Sequence, residues 1–151
     1  MSSPAATVSP PAAKPSEQSR ARYPDEEGFV ERDGVRVFYE RYGDGQETVL
    51  LLPPWSIVHS RVWKLQIPYL ARHFRVLTFD GRGNGRSDRP QGAARYRTEE
   101  FARDAIAVMD ATGTESATVV GYSRGVPRAL SVASAIEQNR VGSFCVGSSL
   151  P

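Results

Sequence analysis

Apolar residues are bunched along this chain in short runs separated by polar stretches, and the spacing within each run predicts its element. Residues 49–52 are continuously apolar and closed by Pro53 and Pro54, as expected of a central parallel strand. Residues 76–79 and the β-branched run Thr118, Val119, Val120 predict two more strands buried on both faces. Earlier in the chain, polar and apolar positions alternate on either side of Asp33-Gly34, a dipeptide suited to a tight hairpin turn. Residues 29–32 and 35–42 should therefore pair antiparallel. Between residues 60 and 71, Val62, Leu65, Ile67 and Leu70 with Trp63 suggest a helix that Pro68 bends or divides. Thr98 is the expected cap of a second helix: Glu99 and Glu100 lie in its first turn, Phe101, Ala105, Val108 and Met109 recur on one face, and Gly113 closes it. A third helix should run from Arg124 to about residue 138, before a last strand over residues 141–146. Strands alternating with helices give an α/β fold, a mostly parallel sheet with helices on both faces and an antiparallel hairpin at its start.

Composition narrows this picture. Residues 1–25 are rich in Pro, Ala and Ser and carry almost nothing to bury, so they are expected to be a disordered tail, leaving 26–151 as one domain. With 151 residues, the chain is long enough for one core and too short for two. The net charge is only +2, with arginines scattered among acids, which gives no nucleic-acid footprint. No apolar run is long enough for a membrane span, and the N-terminus has no signal-peptide pattern. The single cysteine, Cys145, cannot form an internal disulfide and reads as a small buried hydrophobe, which fits a reducing cytoplasm. Nothing points to a cofactor or a metal site.

Candidate chemistry centres on Gly121-Tyr122-Ser123-Arg124-Gly125, where a strand meets a helix. Small residues flank a serine in a sharp turn, so its hydroxyl stands clear of the backbone at a helix N-terminus. Backbone N–H groups and the positive dipole end there favour a developing oxyanion. The loop over residues 81–96, with Gly81, Gly83, Gly85 and Gly92, is too glycine-rich and charged for strand or helix, and long enough to suggest function. A phosphate cradle would need glycine where Arg86 stands, and no helix follows directly.

Together these segments resemble the α/β-hydrolase family. The serine turn matches its G-x-S-x-G elbow, and residues 79–90 look like its D-x-R-G-x-G-x-S loop, with Asp80, Arg82, Gly83, Gly85 and Ser87 in register. In that loop, Asp80 and Arg82 are expected to brace one another as a carboxylate–guanidinium pair. The resemblance implies Ser123 as nucleophile toward an ester or related acyl substrate, with the N–H groups of Trp55 and Arg124 as the oxyanion hole. Pro53 and Pro54 stand where the family commonly has His-Gly. Residues 53–63 also resemble, more weakly, hydrolase-type domains of actinobacterial proteins, some of them fused to cyclases or regulators.

The family's acid and histidine follow the serine, but after Ser123 this sequence has neither histidine nor aspartate, and Glu137 is its only carboxylate side chain. His73 is expected at the opposite end of the sheet, and His59 in a loop within conceivable reach of Ser123. The expectation is the N-terminal part of a hydrolase domain, its C-terminal strands missing, inactive alone and prone to self-association through an open sheet edge. The alternative is a non-catalytic remnant, a binding or regulatory module that retains the scaffold. Aspartate at position 123 would have implied epoxide-hydrolase or dehalogenase chemistry.

Overall fold

A computed structural model describes residues 21–135 and 141–147, the latter for backbone only. Among the described residues six strands form one sheet, with residues 26–32 at one side, then 35–42, 75–79, 48–51, 117–122 and 141–147. β1 (Glu26–Arg32) and β2 (Val35–Tyr42) are the antiparallel hairpin, turned through Asp33 and Gly34 at φ 52° and 71°. Both turn residues are left-handed, as the tight hairpin turn requires. β1 starts three residues before the alternation predicts, since Glu26 still pairs with Arg41 across the ladder and its carboxylate meets that guanidinium at 2.8 Å.

The parallel part comprises β3 (Thr48–Leu51), β4 (Arg75–Phe79), β5 (Ala117–Tyr122) and β6 (Val141–Gly147). β2 joins it antiparallel to β4. The apolar runs become the two central strands because both faces are covered. On one face Leu50, Leu77, Phe79 and Val119 pack under α2 (Thr98–Ala111) and α3 (Gly125–Ala135). On the other, Val49, Leu51, Val76 and Tyr42 pack with Ile67 and Ala71 at the short helix α1 (Ile67–Leu70). Helices therefore lie on both faces, as expected.

Two helix expectations need correction. The 60–71 segment is divided into a single 3₁₀ turn, Ser60–Trp63, and α1, which begins at Ile67 so that Pro68 falls in its first turn. Only Ile67 of its apolar face is fully buried, and Leu65 remains 75% exposed. α2 is entered from Arg97, which is extended at ψ 153°, and Thr98 is its first helical residue with no side-chain cap bond. Its other end is as expected: Gly113 at φ 61° lets Thr114 N–H reach the Met109 carbonyl at 2.8 Å. The continuation of the third helix toward residue 138 lies outside the described residues, as do residues 1–20 of the expected tail. Arg22 and Asp25 are bonded to the domain, Asp25 through the Gly43 N–H at 2.6 Å.

Because β3, β4 and β5 run parallel, their C-terminal ends lie on one edge of the sheet. The loops that leave them gather there; Trp55, Ser123 and Arg124 belong to those loops, while Gly121 and Tyr122 end β5 and Gly125 begins α3.

Candidate functional site

The turn between β5 and α3 is made by Ser123 and Arg124. Ser123 has φ 55°, a left-handed conformation that only Asp33 shares among the described non-glycine residues. For a residue with a Cβ this costs about 1–2 kcal/mol. The strain is held by the close crossing of strand and helix. A Cβ on Gly121 would sit 2.4 Å from the Gly125 carbonyl oxygen and 2.9 Å from the Ala129 Cβ, so glycine is required there. Gly125 is different: a Cβ would meet nothing nearer than the Pro53 carbonyl oxygen at 3.6 Å, so space does not demand its glycine. Ser123 is half-buried and its carbonyl accepts the Val126 N–H at 3.0 Å, while Tyr122 and Arg124 are exposed.

The loop after β3 packs against this turn. The Leu52 N–H donates to the Val120 carbonyl at 3.0 Å, and Trp63 Nε1 donates to the Leu52 carbonyl at 3.2 Å. Arg128 of α3 donates from Nη1 to the Pro53 carbonyl at 2.6 Å and from Nη2 to Ser56 Oγ at 3.1 Å. Asn84, from the neighbouring loop, donates to the Ser56 carbonyl at 3.2 Å. Pro53 and Pro54 are buried and have no N–H, so Trp55 carries the next amide donor along the chain. Among the described residues, neither the Trp55 N–H nor the Arg124 N–H donates to a protein acceptor. Both amides belong to loops at the end of the sheet where Ser123 stands, and Pro53 and Pro54, just before Trp55, lie against Gly125. The Trp55 side chain is about half exposed.

The loop after β4 is consumed by its own structure. Asp80 and Arg82 do not pair, contrary to expectation. Asp80 instead accepts the Ser60 N–H on Oδ1 at 2.8 Å and the Arg86 N–H on Oδ2 at 2.9 Å. Its carboxylate fills the place of a Gly85 side chain, since a Cβ there would be 2.0 Å from Oδ2. Ser87 Oγ accepts the Phe38 N–H and donates to the Asp80 carbonyl. Arg82, fully buried, forms a two-pronged pair with Asp104 of α2 at 2.7 Å on each arm. Arg32 of β1 joins the same carboxylate and Glu100. The hydrogen bond from Arg32 holds the Glu100 carboxyl below its ordinary pKa.

No base stands at Ser123 among the described residues. His59 Nδ1 accepts the Arg61 N–H at 3.2 Å and so caps the 3₁₀ turn. A neutral imidazole accepting on Nδ1 carries its proton on Nε2, which leaves no free acceptor nitrogen. The ring opens onto a cleft of about 180 Å³ shared with Glu40, Asp80 and Arg86, not with Ser123. His73 is exposed between α1 and β4, at the opposite end of the sheet, with its ring against Tyr69 and Phe74. Among the described residues no trio of His, Cys, Asp or Glu is arranged to hold a metal ion, and no helix is long and apolar enough to cross a membrane.

Sequence reasoning missed Arg128 and Asp104. Both left a signal: each is a charged residue on the apolar face of its helix, Asp104 among Phe101, Ala105 and Val108, Arg128 among Gly125, Ala129 and Val132.

A sequence model of the alpha/beta hydrolase fold matches residues 47–148. The chain is 42% identical over 66 residues to epoxide hydrolase B of Mycobacterium tuberculosis (strain ATCC 25618 / H37Rv), covering 43% of this chain and 18% of that protein. It is 36% identical over 101 residues to rhodomycin D methylesterase of Streptomyces sp. (strain C5), covering 64% of this chain and 34% of that protein. Among solved structures, Est816, described as an N-acyl homoserine lactone degrading enzyme, superposes with a TM-score of 0.71 at 34% identity, over 79% of this chain and 44% of its own. The chain thus spans less than half the length of each of these proteins.

Proposed function

The chain belongs to the alpha/beta hydrolase fold family, and from that premise we propose that it carries the nucleophile-bearing part of a serine hydrolase acting on an ester or related small acyl substrate. The observation that supports this reading is the coincidence of a strained serine, φ 55°, with two unengaged amide donors on the loops beside it. In this reading Ser123 Oγ attacks the acyl carbon and the Trp55 and Arg124 amides stabilise the tetrahedral oxyanion. Gly121, Tyr122 and Gly125 shape the turn. Of the relatives described above, one is named for epoxide opening and one for ester cleavage. Serine at position 123 favours the ester-type reaction, because its hydroxyl can take the acyl group as an ester while the substrate's alcohol leaves, and water then releases the acid.

Proton removal from Ser123 then has to be supplied by residues beyond those described here, in the strands that would follow β6. Alone, the chain is proposed to be inactive. Among the described residues β6 is the last strand of the sheet and pairs only with β5, and we propose that its open edge drives self-association. A cytoplasmic setting is part of the same proposal, resting on the single cysteine. The second reading, a non-catalytic binding or regulatory module, is favoured by one observation: His59 has its Nδ1 committed to the Arg61 N–H.

Steady-state hydrolysis of short acyl esters tests the proposal. The 151-residue chain should show no turnover above its Ser123→Ala variant, whereas a longer chain that adds an acid and a histidine should turn over and lose this in Ser123→Ala. A longer chain indifferent to Ser123→Ala would favour the non-catalytic module.

A further inference from the structure

Arg128 is an unusual residue for the inside of a helix contact. It is 4% exposed, and among the described residues its guanidinium meets no carboxylate. Its contacts are the Pro53 carbonyl at 2.6 Å, Ser56 Oγ at 3.1 Å and the Phe101 ring, whose centroid lies 3.7 Å from Cζ. Burial, with the like charge of Arg124, pushes its pKa down to about 10. A buried cation without a counter-ion is a poor source of stability, and an apolar side chain of the same size is commonly tolerated or preferred in its place. The two groups it grips, however, are the first and last residues of the segment 53–56. Between them lies Trp55 with its unengaged N–H. Pro54 fixes φ just before it, and a planar fork with two parallel donors is suited to holding two points of a loop at once.

We propose that Arg128 is a positioning residue that clamps the 53–56 loop onto the elbow helix, so that the Trp55 N–H is held in place beside Ser123. Its purpose rests on the serine-hydrolase reading; its mechanical action does not. Lysine would keep the charge over Phe101 but not the fork, so charge and clamp can be separated.

Limited chymotrypsin digestion of the 151-residue chain, mapped by mass spectrometry, tests this. Cleavage after Trp55 reports the loop, and cleavage after Tyr69, exposed on α1, is the internal reference. Arg128→Met and Arg128→Lys should each raise the Trp55 rate about tenfold or more relative to Tyr69, a ratio that a loss of global stability alone does not change. Ser56→Ala, which removes one prong, should give a smaller rise. An unchanged ratio in both Arg128 variants overturns the clamp. So does acceleration at both sites together with a lower midpoint, since that marks ordinary packing between α2 and α3. If Arg128→Met does not fold, Arg128→Lys and Ser56→Ala decide on the same ratio. Absence of any Ser123-dependent activity in a longer chain, with the ratio changed as expected, would leave the clamp standing and remove only the hydrolase reading.

Discussion

Two loop systems leave neighbouring strands on the same edge of the sheet, and they use their polar groups in opposite ways. In the loop after β4, Asp80 and Ser87 are bound to their own surroundings, and Arg82 is bound bidentately to Asp104. All three of these side chains are engaged by the fold itself. In the loop after β3 and the turn after β5, the side chains of other segments hold the backbone, while among the described residues the Trp55 and Arg124 amides and the Ser123 hydroxyl have no partner. The first system satisfies itself and sets the geometry; the second is strained, half-satisfied and held from outside, the pattern expected where chemistry is done.

Breaking the self-satisfied loop should have the largest effect. Asp104→Asn takes the bidentate anion from buried Arg82, leaving it only the Glu100 carboxylate at 3.3 Å, and is expected to cost about 3 kcal/mol of stability, read as a shift of the denaturant midpoint. Next comes the crossing that creates the elbow. Gly121→Ala places a Cβ 2.4 Å from the Gly125 carbonyl oxygen and should cost about 3 kcal/mol, whereas Gly125→Ala should change stability by less than about 0.5 kcal/mol. Equal losses at the two glycines would mean that the crossing is looser than described.

Ser123→Gly sharpens the comparison with the opposite sign. Relief of the left-handed strain should raise stability by about 1 kcal/mol, an outcome not expected at a residue kept for stability. The smallest effect is a pH dependence. Glu100 has its carboxyl lowered chiefly by the hydrogen bond from Arg32, at 2.6 Å. Its contribution is complete above its ordinary value of 4.5 and fades as pH falls through the lower native value. Glu100→Gln should flatten stability profiles below that pH and leave them parallel above it.

Much of this contrast could be read in the chain itself. The continuous apolar runs before Pro53 and around Val119 announce strands because a parallel sheet covered on both faces has no solvent side to mark by alternation. The elbow announces itself through Gly121 and Ser123, whose local geometry is set by residues adjacent in sequence. The partner of Arg82 could not be read that way. Asp104 lies 22 positions further on, and only the turn of α2 toward the β4 loop brings the two together. Asp80 stands only two positions before Arg82, yet it is drawn to the Ser60 and Arg86 amides. The 60–71 segment misled for the reverse reason: its apolar spacing was genuine, yet among the described residues nothing packs over Leu65, so periodicity there did not become burial.

Ser123 is proposed to be a nucleophile that lacks a base among the described residues. The most direct measurement is the pH dependence of covalent labelling of Ser123 by an organophosphonate, quantified by mass spectrometry against Ser123→Ala. Without a base, only the alkoxide fraction reacts, so the rate should rise about tenfold per pH unit with no break near the imidazole range. A plateau above an apparent pKa of about 6.5, abolished by His59→Ala, would contradict the account and make His59 the base.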